Sequence, residues 1–166
     1  IKVIVSENDS VLRIPNDLLG FDTAAYDIHP DYQETAYSIG EVLHQVITRD
    51  DRVEYLDTLF VEGHTDNRPF AGFMGKGNWG LSTFRAISLW QYWDQTLPEQ
   101  RSLSSMLNKE NKPLFSVSGY GQTRPVTERQ ETEDELSANR RIDIRITIRR
   151  PKSEELERAQ LGIIED

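Results

Sequence analysis

The chain has 166 residues, enough for one domain with a substantial core, and its apolar and charged fractions are those of an ordinary globular protein. Its formal net charge of −9 argues against a nucleic-acid partner, because phosphate binding requires a basic surface. The absence of cysteine excludes disulfides, thiolate catalysis and cysteine-ligated zinc, and no apolar run is long enough for a membrane helix.

Apolar periodicity predicts elements in the order β-β-α-β-α-β-β, followed by a short helix. The predicted elements are strands at 3–7 and 10–15, a helix at 32–47, a strand at 55–63, a helix at 78–97, strands at 115–120 and 141–149, and a helix at 153–161. Asn8-Asp9 is a turn dipeptide between the first two strands, and Asp31 is expected to cap the first helix. Loops are predicted for residues 64–77 and for the acidic stretch 123–137.

The last strand has the clearest periodicity in the chain. Its isoleucines alternate with polar residues: Ile142, Ile144, Ile146 and Ile148 share one face, and Arg141, Asp143, Arg145, Thr147 and Arg149 share the other. This pattern predicts one buried face. Strands joined by helices imply parallel pairs, so the predicted fold is an α/β two-layer sandwich with two long helices packed on a small mixed sheet. Residues 1–150 are predicted to form this domain, and residues 151–166 an acidic helical tail.

Asp66 and Arg85 are candidates for a ligand site. Asp66 comes directly after a strand, and open α/β sheets bind ligands near the carboxyl ends of their strands. Leu81 shares a helical face with Arg85, and Asn78 lies one turn further back near the helix start. Free N–H groups at a helix start and a bidentate arginine both suit a carboxylate. The pair therefore predicts either a site for a ligand with an ammonium and a carboxylate, or an ordinary salt bridge.

Arg140 and His64 add charge near this pair. Arg140 is in phase with the apolar face of the last strand, so it needs a partner. That partner is either a carboxylate, Asp66 or Asp22, or a ligand. His64 lies two residues from Asp66, which is compatible with a metal site or an acid/base pair, but no third ligand has a clear spacing. We therefore expect His64 to be structural or solvent-facing.

The second long helix is rich in aromatic residues, which include Trp79. Trp90 and Trp93 are expected to pack in the core, with a partner protein as the alternative. The GxSxG, P-loop and HExxH motifs do not occur. Gly119-Tyr120-Gly121 is expected to form a turn that lets the backbone pass close to a neighbouring element.

Four ordered motifs within residues 10–149 resemble the OmpA-like peptidoglycan-binding domain. They are Gly63-His64-Thr65-Asp66; Asn78, Leu81, Ser82, Arg85 and Ala86; Gly119, Gly121 and Pro125; and Asn139-Arg140-Arg141. The opening segment, residues 11–19 with Phe21-Asp22, is most similar to the B subunits of ion-driven stators. Those subunits include flagellar motor stators and the Zorya anti-phage defence motor.

The resemblance implies non-catalytic binding of peptidoglycan through a diaminopimelate-type stem peptide. It places Asp66 on the ligand's ammonium and Arg85 on its carboxylate, with Asn78, Leu81 and Arg140 lining the pocket. It implies no metal and no cofactor. It also implies a homodimer, a membrane motor A-type subunit bound through a missing N-terminal region, and a periplasmic location within an inner-membrane-anchored protein. The start at Ile1, in a strand-like run, is expected of a processed or excised piece.

The connections at 67–77, 98–113 and 128–135 look longer than in the common pattern, which fits a divergent, Zorya-like subunit better than a flagellar one. Two other classes stay open. A dimerisation domain of a stator or of an outer-membrane wall-tethering protein predicts an exposed apolar patch around Trp90 and Trp93. A cell-wall hydrolase has Glu62 and Asp66 as its nearest candidate carboxylates.

Overall fold

The computed structural model describes residues 4–6 and 10–164. In chain order its elements are β1 (Ile4–Ser6), β2 (Val11–Pro15), α1 (Gln33–Thr48), β3 (Leu56–His64), α2 (Gly72–Gly75), α3 (Gly77–Thr96), β4 (Phe115–Gly119), α4 (Glu133–Asn139), β5 (Arg141–Ile148) and α5 (Ser153–Ile164). The strands form one sheet in the order β1-β2-β5-β3-β4. Only β3 and β4 are parallel among the described strands, and the other neighbours are antiparallel. The predicted mixed sheet is confirmed.

The two long helices, α1 and α3, form the second layer. Both bury an apolar stripe with helical spacing: Ala36, Ile39, Leu43 and Ile47 on α1, and Leu81, Ala86, Leu89 and Trp93 on α3. Except for Leu81, these side chains share one core with apolar residues of β3 and β5. The predicted two-layer α/β sandwich is therefore confirmed. Among the described residues, no helix has the length and hydropathy needed to cross a membrane.

The tryptophans near the end of α3 belong to this core. Trp93 is 1% exposed, and its indole N–H donates to the carbonyl of Ala36 at 2.8 Å. Trp90 is half-buried and its ring stacks on Phe115 with a centroid separation of 5.2 Å. The expected core packing is correct, and the exposed apolar patch expected for a dimerisation domain does not lie around these two residues.

Two glycines set the distance between α3 and the sheet. Gly63 on β3 and Gly119 on β4 are register partners in the parallel pair. A Cβ on Gly63 would lie 1.8 Å from the backbone carbonyl oxygen of Ser82, and one on Gly119 would lie 2.2 Å from Oγ1 of Thr83. The backbone of α3 therefore rests directly on these two strands, and the close passage expected of the Gly119 turn is confirmed.

Several local predictions differ from the structure. Asp31 does not cap α1: it lies in a short 3-10 turn, and the residue before α1, Tyr32, makes no capping bond. The acidic loop contains α4, whose capping box joins Thr132 and Glu135. The loop after β3 contains the single turn α2. The turn predicted at Asn8-Asp9 lies outside the described residues.

The prediction of one buried face for β5 is wrong over the first half of the strand. Arg141 and Asp143, expected to face solvent, are 4% and 1% exposed, whereas Ile148 is 64% exposed. Burial of this polar face is possible because Arg141 and Asp143 bond each other and Arg13 of β2 also pairs with Asp143. The tail is helical as expected, and Arg149 at the end of the sheet bonds Glu155 of α5 at 2.8 Å. The domain boundary at residue 150 stays a prediction.

We expect Gly63→Ala to lower the free energy of unfolding by about 3 kcal/mol or to prevent folding, because α3 must move off the sheet to admit a methyl group. Urea denaturation followed by circular dichroism measures the effect. Gly162→Ala on α5 is the matched control, since its Cβ meets nothing within 4 Å. An unfolding free energy for Gly63→Ala within about 0.5 kcal/mol of wild type would contradict the close contact.

Candidate functional site

A small cavity of about 120 Å³ lies where β3 ends and α3 begins. All five residues predicted for the ligand site line it: Asp66, Asn78, Leu81, Arg85 and Arg140. The rest of its wall consists of Thr23, Ala24, Thr65, Arg68, Pro69 and Phe70. Four segments that are distant in sequence therefore meet at one place.

Among the residues that the structure describes, Asp66 is the only carboxylate that lines this cavity, and its side chain is 8% exposed. Its Oδ2 accepts hydrogen bonds from Nε and Nη2 of Arg68 at 3.1 and 2.5 Å, and from Nη1 of Arg140 at 2.9 Å. Its Oδ1 accepts from the backbone N–H of Arg68 at 3.0 Å. Burial alone would raise the pKa of Asp66, but these hydrogen bonds outweigh it and hold the pKa below its ordinary value.

Arg85 is 1% exposed, yet no carboxylate of the described chain bonds it. Its Nε donates to the carbonyl of Ala25 at 2.7 Å and its Nη2 to the carbonyl of Asp22 at 2.9 Å. Its Nη1 is buried and has no hydrogen-bond partner among the described residues. Burial lowers the pKa of Arg85 to about 10, and the charge of Arg140 acts in the same direction. Arg85 is still protonated at neutral pH.

The alternative of a salt bridge between Asp66 and Arg85 is therefore not what the structure shows. Asp66 is bonded by Arg68 and Arg140, and Arg85 is bonded by backbone carbonyls. The buried guanidinium of Arg85 therefore has a donor, Nη1, available to an anion, and an unmade hydrogen bond from a buried charged donor is costly.

Arg140, between α4 and β5, joins the cavity to the acidic helix. Its guanidinium bonds Asp66 through Nη1 and Glu133 through Nη2. Of the two carboxylates predicted as partners, it selects Asp66 and not Asp22. The two predicted roles of Arg140 are compatible, since it forms an ion pair and also lines the cavity.

Asn78 and Leu81 extend the wall along the first turn of α3, as their spacing predicts. The side-chain amide of Asn78 donates to the carbonyl of Arg68 at 3.0 Å and to Oε1 of Gln122 at 2.7 Å. Leu81 is 4% exposed and supplies apolar surface. Asn78 thus fixes the loop that carries Arg68.

A second charged cluster lies on the other face of the sheet. Nε2 of His64 is 3.5 Å from Oδ2 of Asp143 and 3.9 Å from Oε2 of Glu62, and all three residues are buried. Glu62, His64 and Asp143 each offer one atom within 4.8 Å of the others, which is close enough to surround a metal ion. The spacing of His64 and Asp66 does not reveal this set, because Asp143 comes from β5.

The surrounding charges argue against a metal at this cluster. Nε of Arg145 bonds Glu62 at 2.8 Å, and Nε of Arg13 and of Arg141 bond Asp143 at 3.2 and 3.1 Å. Three guanidiniums already face two carboxylates, so a divalent cation would add to an excess of positive charge. The cluster fits a structural ion network, and the solvent-facing alternative for His64 is wrong.

Sequence reasoning missed Arg68 and the loop residues Thr23 and Ala24. Arg68 has a readable signal, because it lies two residues after Asp66 in a turn where an aspartate side chain can bond the backbone. Thr23 and Ala24 have none: they reach the cavity because Arg85 holds the carbonyls of Asp22 and Ala25. That contact spans about sixty positions of the chain, and no local pattern encodes it.

No protein-family model matches the chain. Two curated proteins of Bacillus subtilis do. The "Uncharacterized protein YtxE" is 29% identical over 136 residues, which are 81% of this chain and 47% of that protein. Motility protein B is 32% identical over 88 residues, which are 53% of this chain and 29% of that protein. The chain thus spans less than half the length of each of these relatives.

Solved structures share the fold. The periplasmic domain of Helicobacter pylori MotB has a TM-score of 0.62 at 20% identity, covering 98% of this chain and 90% of that one. The cell wall anchor of the T6SS from Pseudomonas aeruginosa has a TM-score of 0.60 at 24% identity, covering 89% and 88%. Together with Motility protein B, they confirm the predicted fold class and the resemblance to MotB-like stator B subunits.

We expect the stability of the domain to fall as the pH falls below about 6.5, because burial lowers the pKa of His64 from its ordinary value of 6.5. Below that pH, His64 binds a proton in the unfolded chain but not in the folded protein, so acid favours unfolding. Urea denaturation should show a lower free energy of unfolding at about pH 5.5 than at about pH 7.5.

His64→Gln should remove most of this difference between the two pH values. His44→Gln on α1 is the matched control and should keep it, because His44 lies outside the cluster. Equal pH dependence in wild type and His64→Gln would show that the buried imidazole is not its source.

Proposed function

We propose that this MotB-like domain binds peptidoglycan in the periplasm and anchors a membrane motor to the cell wall. The observation that carries the proposal is Arg85, a buried cation in a cavity with a free Nη1 and no carboxylate partner in the described chain. The similar proteins support it: one is a motility protein, one is a periplasmic MotB domain, and one is a cell wall anchor.

The chemistry of the cavity favours a zwitterionic ligand. Arg85 supplies a donor for a carboxylate, and Asp66, an ionised carboxylate, supplies acceptors for an ammonium. Asn78 and Leu81 provide a polar and an apolar contact beside them. The distal end of a diaminopimelate residue in a stem peptide carries an ammonium and a carboxylate on one carbon, and so offers both charges together.

The domain is a binding module and not an enzyme. A glycoside hydrolase needs one carboxyl group that stays protonated as the acid. Glu62 is buried, and although burial raises its pKa, hydrogen bonds with His64 and Arg145 hold it below the ordinary value. The pKa of Asp66 is also lowered. The two carboxylates of the hydrolase alternative are therefore both suited to remain ionised.

The wider assembly is proposed from the resemblance. It comprises a homodimer, a membrane motor A-type subunit and an anchor in the inner membrane, in a flagellar or a Zorya-type defence motor. Trp90 and Trp93 do not provide the dimer surface, since they pack in the core. Sedimentation of the purified domain at micromolar concentration tests the homodimer.

We expect Arg85→Ala to abolish retention of the domain on purified peptidoglycan sacculi in a pulldown. Loss of one charged hydrogen-bonded contact weakens binding by about 1.5–3 kcal/mol, or roughly tenfold to a hundredfold. Retention equal to wild type would overturn the site assignment.

Arg85 also holds the 22–25 loop, so its replacement tests binding and loop position together. Asp66→Asn is the second variant: it keeps the shape of the side chain, removes the charge that an ammonium needs, and should also lose retention. Arg101→Gln is the matched control, because Arg101 pairs with Glu41 away from the cavity. Thermal unfolding of all three variants establishes that each is folded.

A further inference from the structure

We propose that Arg68 is a specificity-determining residue: its guanidinium holds the ammonium position on Asp66, and a ligand's ammonium takes that position only by displacing it. The inference rests on the proposed function, because it concerns the same cavity. It adds that only a ligand with its own cation displaces Arg68, whereas a ligand without one leaves Arg68 in place.

Both oxygens of the Asp66 carboxylate already accept hydrogen bonds in this arrangement, and three of the bonds converge on Oδ2. Arg68 reaches Oδ2 with two of its nitrogens and Oδ1 with its backbone N–H. Arg140 takes a further position on Oδ2. An ammonium group that approaches Asp66 therefore competes with an internal guanidinium for the same acceptor.

Arg68, and not Arg140, is the side chain that can leave. The side chain of Arg68 is 36% exposed, whereas that of Arg140 is 8% exposed and is also tied to Glu133. Displacement of Arg140 would leave its buried guanidinium without its partners, whereas the guanidinium of Arg68 can enter solvent at low cost. The backbone bond from Arg68 to Oδ1 does not depend on its guanidinium.

Glu133 offers Arg68 a place to move to. Its Oε2 is 3.8 Å from Nη1 of Arg68, and its side chain is 66% exposed. When an ammonium takes the position on Asp66, Arg68 can pair with Glu133 while Arg140 keeps its bond to Asp66. One cation is exchanged for another, so the charge next to Asp66 is unchanged.

The charges along the wall give this exchange a selective effect. In the described part of the chain, Arg68, Arg85 and Arg140 line the cavity with a single carboxylate, Asp66. A dicarboxylate without ammonium groups gains from all three cations and leaves Arg68 in place. A zwitterion must displace Arg68 to use Asp66. Arg68 therefore weakens the binding of zwitterions and does not weaken the binding of plain dicarboxylates.

The test compares two probes, meso-diaminopimelate and pimelate, which has the same seven-carbon chain with two carboxylates but no ammonium. Each is titrated into wild type, Arg68→Gln, Arg68→Lys and Arg129→Gln, and the shifts of backbone amide resonances around the cavity report binding. Arg129→Gln is the matched control: it removes the same charge from an exposed side chain that pairs with Glu131 and Glu135.

We expect Arg68→Gln to bind meso-diaminopimelate roughly tenfold more tightly than wild type, because the internal competitor is gone. Its affinity for pimelate should be equal or weaker. Arg68→Lys should bind meso-diaminopimelate less tightly than Arg68→Gln, since it restores a cation. Arg129→Gln should match wild type with both probes.

Weaker or unchanged binding of meso-diaminopimelate by Arg68→Gln, with wild type still retained on sacculi, would overturn this inference and leave the proposed function intact. Tighter binding of both probes would overturn it too, because Arg68 would then act without regard to the ammonium. Failure of wild type and Arg68→Gln to bind either probe, together with no retention of wild type on sacculi, would overturn the proposed function and this inference with it.

Discussion

The position of the candidate site depends on the contact between α3 and two glycines of the sheet. Gly63 and Gly119 lie side by side on the parallel strands β3 and β4, and Ser82 and Thr83 pass directly over them. A hydrogen bond also joins the helix to the turn after β4: the hydroxyl of Ser82 accepts from the backbone N–H of Gly121 at 2.9 Å. With the helix held at this distance, Arg85 and the residues after β3 reach one cavity.

The alternation of side chains along β3 determines where its charged residues are buried. Side chains alternate along a strand, so Val61 enters the apolar core while Glu62 and His64 face the opposite side. On that side Arg13, Arg141 and Arg145 neutralise the carboxylates. The strand then leaves the sheet, and its next charged residue, Asp66, faces the cavity instead.

Sequence patterns predict the parts of this structure that depend on local periodicity. α1, β3, α3 and β5 follow from the spacing of their apolar residues, because burial of one face fixes the period. The helix α4 was predictable from Thr132 and Glu135, a capping-box pair that the acidic composition obscured. The burial of Arg141 and Asp143 was not predictable from local patterns, since it depends on contacts with arginines of other parts of the chain. Arg68 on Asp66 lies between these cases: the turn is local, but its competition with a ligand follows only from the geometry.

Comparison of the two buried clusters shows why the cavity, and not the sheet face, suits a ligand. In both places arginines outnumber the carboxylates they face. On the sheet face each arginine bonds a carboxylate, although Nη1 of Arg141 also has no hydrogen-bond partner among the described residues. In the cavity Arg68 and Arg140 share Asp66, while Arg85 bonds only backbone carbonyls and keeps Nη1 free. Under the proposed function, an anion from outside the chain would stabilise this buried cation, because a carboxylate ligand would supply the charged partner that the described residues do not.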